Sequence, residues 1–343
     1  MASARTQAPP VREVSIGCCA DPDRFQREIA APCEPVVIRG LVREWPVVTA
    51  GRTSQRALQA YLARFATPAR AQAFVGAPGI AGRYDYAADL DGFNFEKIDS
   101  DVIGALDRIL ANAEQPGHAT VYLGSLEAEI YLPGFAAENR LAALPPSIGP
   151  RVWIGNASTV ACHNDTYDNI ACVVAGHRRF TLYPPDAIGD LYIGPIDHTM
   201  SGRPTSLAAH APRDDARYPR MAAAQARATV ADLAPGDALY LPKLWWHAVE
   251  ATDSFNVLVN YWWDAFSIGP DAPNTAMMLA MIAIAERPPA ERQAWRALFD
   301  HYVFRGDGHP LAHVPEHKRG ILGSIPGARY GRIRAMVMQM LRG

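Results

Sequence analysis

His163-Asn164-Asp165 sets two groups able to bind a metal two residues apart. In an extended chain such side chains leave the same face, a spacing that suits chelation, while Asn164 between them points the other way. Much further along, Trp245-Trp246-His247-Ala248-Val249 carries another histidine at the start of a β-prone run. Two histidines and one carboxylate that leave coordination positions open form the facial triad of non-haem Fe(II) oxygenases, and open positions are what O2 and an oxo-acid need. A lone H-x-D triplet is a weak signal in a chain with ten histidines. Its weight depends on elements that would bring His247 beside it.

Those elements are legible between Arg151 and Asp264. Short β-prone runs recur at 151–155, 168–175, 178–183, 228–233, 237–242, 246–251 and 255–262, with Pro235-Gly236-Asp237 marking a turn. Such a series predicts a β-sandwich or jelly roll, in which the H-x-D segment and the His247 strand run close together. Gly176-His177-Arg178-Arg179-Phe180 opens a strand, so one arginine must face inward and the next outward, and alternation does not say which. Of Trp245, Trp246, Tyr261, Trp262 and Trp263, one or two are expected to face a cavity and the rest to be core. Residues 185–227 interrupt the series with weak periodicity, and a segment this long is usually functional or involved in contacts. Within it Asp197-His198 and Arg203, Arg213, Arg217 and Arg220 are expected to be solvated or subunit-contacting.

Ahead of the strands, Asp21-Pro22 reads as a helix start with Phe25, Ile29 and Ala30 as its apolar stripe. Pro35 to Gly40 reads as a strand, and helices are predicted over Ser54–Phe65 and from about Asp99 to Asn112. After Asp264 the pattern is helical again: 272–286 is apolar almost all round, 289–302 is amphipathic, and 326–341 has an apolar stripe that includes Met336 and Met340. His309, His313 and His317 repeat at helical spacing, but Pro310 and Pro315 interrupt that helix, so no second metal site is expected. The chain is thus expected to divide into a flexible stretch 1–20, an α/β region 21–150 packing on the core, a core 151–264 and a helical region 265–343.

The 343 residues carry a net charge of −2 with no block of like charges, which argues against nucleic-acid or membrane-surface binding. An apolar leader is not apparent. Five cysteines without a C-x-x-C pair read as free thiols in a reducing cytoplasm, with Cys162 a buried thiol rather than a nucleophile.

Two blocks, RVWIGNASTVACHNDTYDNIACVVAGHRRFTLYPP and DLAPGDALYLPKLWWHAVEATDSFNVLVNYWW, resemble the core signatures of the JmjC/cupin-like 2-oxoglutarate oxygenases. The likeness is nearest to the hydroxylase group that includes the asparaginyl hydroxylase of hypoxia-inducible factor. PVVIRGLVREWP, VYLGS and YPRMAAAQA fit as well, so the resemblance spans about 35–264. It implies a mainly β fold with flanking helices, built on a double-stranded β-helix (jelly-roll, cupin-like) core. By resemblance His163, Asp165 and His247 are the iron ligands, and Asn169 and Asn260 lie near the metal-bound oxo-acid. Tyr122 and Thr159 would hydrogen-bond the far carboxylate of 2-oxoglutarate, although the family usually carries that hydroxyl three residues before the histidine, where Val160 stands. The basic anchor falls at Arg178, where a lysine is more usual. Fe(II), 2-oxoglutarate and O2 are the implied cofactor and co-substrates. The implied reaction hydroxylates a C–H bond of a protein or peptide side chain or a small metabolite, releasing succinate and CO2. N-methyl demethylation and a non-catalytic cupin ligand-binding module are the alternatives. A homodimer through the C-terminal helices is also implied.

Overall fold

The computed structural model describes residues 8–342 apart from 116, 118, 201, 209–210, 212–214, 268–270 and 324–326. In chain order the strands are β1 (Glu13–Val14), β2 (Val36–Ile38), β3 (Ala71–Gly76), β4 (Arg83–Tyr84), β5 (Phe95–Ser100), β6 (Thr120–Glu127) and β7 (Pro150–Gly155). They continue with β8 (Ser158–Asn164), β9 (Asp168–Ala175), β10 (Arg178–Tyr183), β11 (Thr229–Leu233), β12 (Ala238–Leu241), β13 (Trp246–Ala251) and β14 (Asn256–Trp263). Among the described residues they form a nine-stranded sheet, β1-β2-β12-β9-β14-β7-β6-β3-β5, and a five-stranded sheet, β11-β10-β13-β8-β4. This is a jelly-roll core with flanking helices.

Alternation builds the layers. Ile170, Cys172 and Val174 of β9 point out to a core shared with Leu58 and Leu62 of helix Gln55–Ala63 and with Leu106 and Ile109 of helix Val102–Ala113. Ala171 and Val173 point the other way, to Phe180 and Leu182 of the opposing sheet. With both faces covered, every residue of β9 is buried, and from Ile170 onward the strand reads as a continuous apolar run. Each fully buried leucine or isoleucine contributes roughly 1.5–3 kcal/mol, so the helices are pinned to the large sheet. Side chains of Asp21, Ser54 and Asp101 accept the first backbone N–H groups of their helices from Arg24, Ala57 and Gly104, fixing where each begins.

Several expectations change. Residues 21–150 do more than pack on the core: β2 joins one flank of the large sheet, and β6, β3 and β5 extend the other. The stretch 1–20, expected to be flexible, is tied down over its described part. Val11 N–H donates to Val230 O at 2.9 Å, and β1 pairs in parallel with β2. Helix Pro46–Thr53 was not anticipated; Pro46 supplies its first turn without a side-chain cap. β8 escaped the strand series because its alternation breaks. Between His247 and Val249 of β13 the register slips, so Ala161 and Cys162 together stand where one residue is expected. The described part of the insert 185–227 folds against the outer face of the five-stranded sheet, where Ala187, Leu191, Met221 and Ala224 cover Cys162, Tyr183 and Trp246.

Met1–Ala265 and Phe266–Gly343 are separate compact units. The second contains helices Pro273–Ile284, Pro289–Phe299 and Gly327–Leu341; position 326 of the expected last helix lies outside the described residues. Helix Pro273–Ile284 buries none of its residues, leaving Met277, Met278, Met281 and Ile282 exposed. Among the described residues no helix is long and apolar enough to cross a membrane.

Candidate metal centre

β8 and β13 are antiparallel neighbours with His163 directly opposite His247, and the ring centroids lie 4.3 Å apart. Asp165 follows the end of β8, where its carbonyl accepts the Leu244 N–H at 2.8 Å. Its carboxylate faces the histidines, with Oδ2 3.8 Å from His247 Nε2. Ligand atoms of the three residues all lie within 4.8 Å of one another, and they are the cluster of this kind among the described residues.

Backbone contacts fix how the histidines present themselves. His163 Nδ1 lies 2.9 Å from Ala161 O and His247 Nδ1 lies 3.0 Å from Trp245 O. A carbonyl only accepts, so Nδ1 carries the proton in both rings and Nε2 keeps its lone pair for a metal. Burial, together with the neighbouring His163, pushes the His247 imidazole down to about 4, keeping it neutral. The donor set, two imidazoles and one carboxylate on one side of an open cavity, fits a divalent iron with free positions.

The cavity beside them has a volume of about 600 Å³ and lies between the two sheets. Asn169, Asn260, Tyr122 and Arg178 all line it with the triad. Asn260 donates to Asn169 at 3.1 Å and accepts from Trp153 Nε1 at 2.7 Å, so the two amides form a braced pair. Gly176 turns β9 into β10 at φ 72°, where a Cβ would collide with the side chain of Asn256. From that turn Arg178 points in and Arg179 out. Arg178 is only 5% exposed, its Nε has no hydrogen-bond partner, and burial pulls its pKa down, with Tyr122 the opposing influence. Arg179 instead forms a two-pronged pair with Asp232 at 2.7 and 2.9 Å at the surface.

A scan against known families matches this chain over residues 22–268 to the cupin-like domain. The chain belongs to the cupin-like family. JmjC proteins stand among its relatives, in keeping with the resemblance of the two motif blocks. It is 27% identical over 288 residues to the human bifunctional peptidase and (3S)-lysyl hydroxylase JMJD7, covering 71% of this chain and 81% of that protein. It is 32% identical over 149 residues to bovine HSPB1-associated protein 1 and 30% identical over 146 residues to the Arabidopsis thaliana lysine-specific demethylase JMJ31. Those two matches cover 42% of this chain, and only 30% and 25% of the respective relatives.

Against this cupin-like frame some residue assignments need correction. Thr159 is not part of the cavity wall, whereas Val160 is. The slip at Ala161 and Cys162 reverses the parity of β8 below His163, so the residue three positions before the histidine faces in and Thr159 faces away, opposite Glu250. Of the five aromatic residues, Trp262 lines the cavity, while Trp246, Tyr261 and Trp263 pack in the outer cores and Trp245 Nε1 donates to Cys33 O. Arg203, expected at the surface, lines the cavity and donates through Nε and Nη2 to Asn164 at 2.8 and 2.5 Å. His198 is stacked on Phe93 at 5.2 Å rather than solvated. Arg217 and Arg220 stay exposed, paired with Asp215 and Asp190, and Arg213 lies outside the described residues. Trp153, Phe74, Tyr84 and Lys97 of the wall had no local signal beyond alternation within their own strands.

Proposed function

We propose that this protein is an Fe(II)- and 2-oxoglutarate-dependent oxygenase that hydroxylates a C–H bond of a protein or peptide side chain or of a small metabolite, releasing succinate and CO2. The observation that carries the reading is Arg178, a buried cation without an ion-pair partner among the described residues, in the same cavity as the His163/Asp165/His247 cluster. A dianionic co-substrate held between metal and guanidinium satisfies both ends, which a closed structural zinc site does not do. When bound, iron(II) with 2-oxoglutarate and O2 would supply the oxidising chemistry.

The chain's own residues hold and shield. His163 and His247 offer Nε2, and Asp165 offers a carboxylate oxygen. Asn169 and Asn260 flank the oxo-acid, and the Tyr122 hydroxyl donates beside Arg178 to the far carboxylate. Val160, Phe180, Val249 and Leu258 keep water from the pocket. The lysyl hydroxylase name of a relative matched over most of both chains supports hydroxylation of a polypeptide. The demethylase name of another supports N-methyl removal as a second reading, which formaldehyde release would reveal.

Purified protein given Fe(II), 2-oxoglutarate and O2 should release succinate at a low uncoupled rate. Peptide or metabolite extracts should raise that rate and yield a product with one added oxygen atom by mass spectrometry. Complete absence of succinate in every case would refute the oxygenase reading.

Free cysteines support a reducing cytoplasm as the site of action. The exposed apolar residues Met277, Ile282, Met336 and Met340 support a symmetric homodimer through the C-terminal helices. Met336→Glu should then turn a dimer into a monomer by light scattering, and a monomeric wild-type chain at micromolar concentration would overturn the pairing.

A further inference from the structure

The charged groups facing the cavity are unevenly divided. Among the described residues that line it the only carboxylate is Asp165, against the cations Lys97, Arg178 and Arg203. Under the oxygenase reading, the charge of iron(II) and of Arg178 balances Asp165 and the two carboxylates of 2-oxoglutarate. Lys97 and Arg203 are left over: neither is in an ion pair among the described residues, and Arg203 feels only the longer-range attraction of Asp165.

Both are held in place rather than loose. Lys97 Nζ donates to Met200 O at 3.2 Å and lies 5.3 Å from the Phe74 ring centre and 5.7 Å from that of Phe93. Arg203, in the same segment as Met200, spends Nε and Nη2 on Asn164 and keeps Nη1 without a partner among the described residues. Lys97 is exposed and Arg203 half-buried, as groups at a mouth should be. Two cations held on one cavity wall with spare donors favour an anion and repel an ammonium group.

We propose that the substrate carries a carboxylate close to the reacting carbon, bound at the mouth by Lys97 and Arg203; this rests on the oxygenase reading above. The carboxylate would come from an Asp or Glu side chain of a peptide or from a free organic acid. A lysine side chain, the group named for two of the relatives, would meet like charge on entering.

The test uses full-length protein loaded with Mn(II) and saturating 2-oxoglutarate without O2, so that binding is read without turnover. The probes are capped peptides identical except for a central Glu, Gln or Lys, together with free N-acetylglutamate, measured by calorimetry at low and high salt. The Glu peptide should bind at least about tenfold tighter than the Lys peptide, with the difference shrinking in high salt. Lys97→Met should erase most of that difference, and Lys97→Glu should reverse it while 2-oxoglutarate still binds. Preference for N-acetylglutamate over the peptide supports the carboxylate assignment and identifies a small-molecule source. Equal or tighter binding of the Lys peptide by the wild type overturns it. Failure of 2-oxoglutarate itself to bind in calorimetry would instead overturn the oxygenase reading, so the two failures are distinguishable.

Discussion

At the metal end of the cavity, His163 and His247 each place Nδ1 on a carbonyl two residues earlier, and the Asp165 backbone is bonded to Leu244. At the other end Arg178 is buried more deeply than His163 or Asp165, yet its Nε meets no acceptor. The first region is preorganised by its own backbone, and the second is held by burial alone. An unpaired buried cation is a burden on stability until an anion arrives. The contrast separates three preset side chains that could hold a metal from a buried cation that an anion would satisfy.

The largest effect should come from breaking the preorganised end. Asp165→Ala removes the anionic ligand and should abolish succinate release, while His163→Ala or His247→Ala should severely weaken Fe(II) binding. Normal turnover by the Asp165→Ala protein would sink the assignment.

Arg178 is next. Arg178→Ala should raise the 2-oxoglutarate requirement at least about tenfold, in line with losing a charge-assisted pair worth roughly 1.5–3 kcal/mol. Without co-substrate, Arg178→Met should melt no lower than wild type, because it deletes an unsatisfied charge, and it should lose the upward melting shift that 2-oxoglutarate gives the wild type. Arg179→Ala should change little, since its Asp232 pair is exposed. Titrations showing the reverse order for the two arginines would mean that the inward side of β10 is misassigned.

The smallest change sharpens the parity of β8. Val160→Thr restores a hydroxyl on the inward side and should tighten 2-oxoglutarate by a few-fold, in keeping with one hydrogen bond of about 0.5–1.5 kcal/mol. Thr159→Val should leave the titration where it was. If Thr159 proved the more sensitive of the two, the slip opposite Ala248 would be in the wrong place.

Local pattern was enough for much of this molecule. The alternation of β9, β10 and β14, the turn at Gly176, and the caps at Asp21 and Ser54 follow from residues close in sequence, because pleat period and cap chemistry act over a few positions. So does the opposite facing of Arg178 and Arg179, although alternation alone left open which one turned inward.

Other features needed partners far along the chain. The irregularity at Ala161 and Cys162 exists only in the pairing with β13, so which of Thr159 and Val160 faces the cavity was open until the register was known. Arg203 reaches the cavity because the insert folds back onto Asn164, and Lys97 because β5 pairs with β3 at the far side of the large sheet. The sequence by itself determined which residue types were on offer and which faces of each strand they shared. Only the tertiary structure decided which of those faces closed around one cavity, because strand register and insert docking are set by contacts between residues tens of positions apart, beyond the reach of any local period.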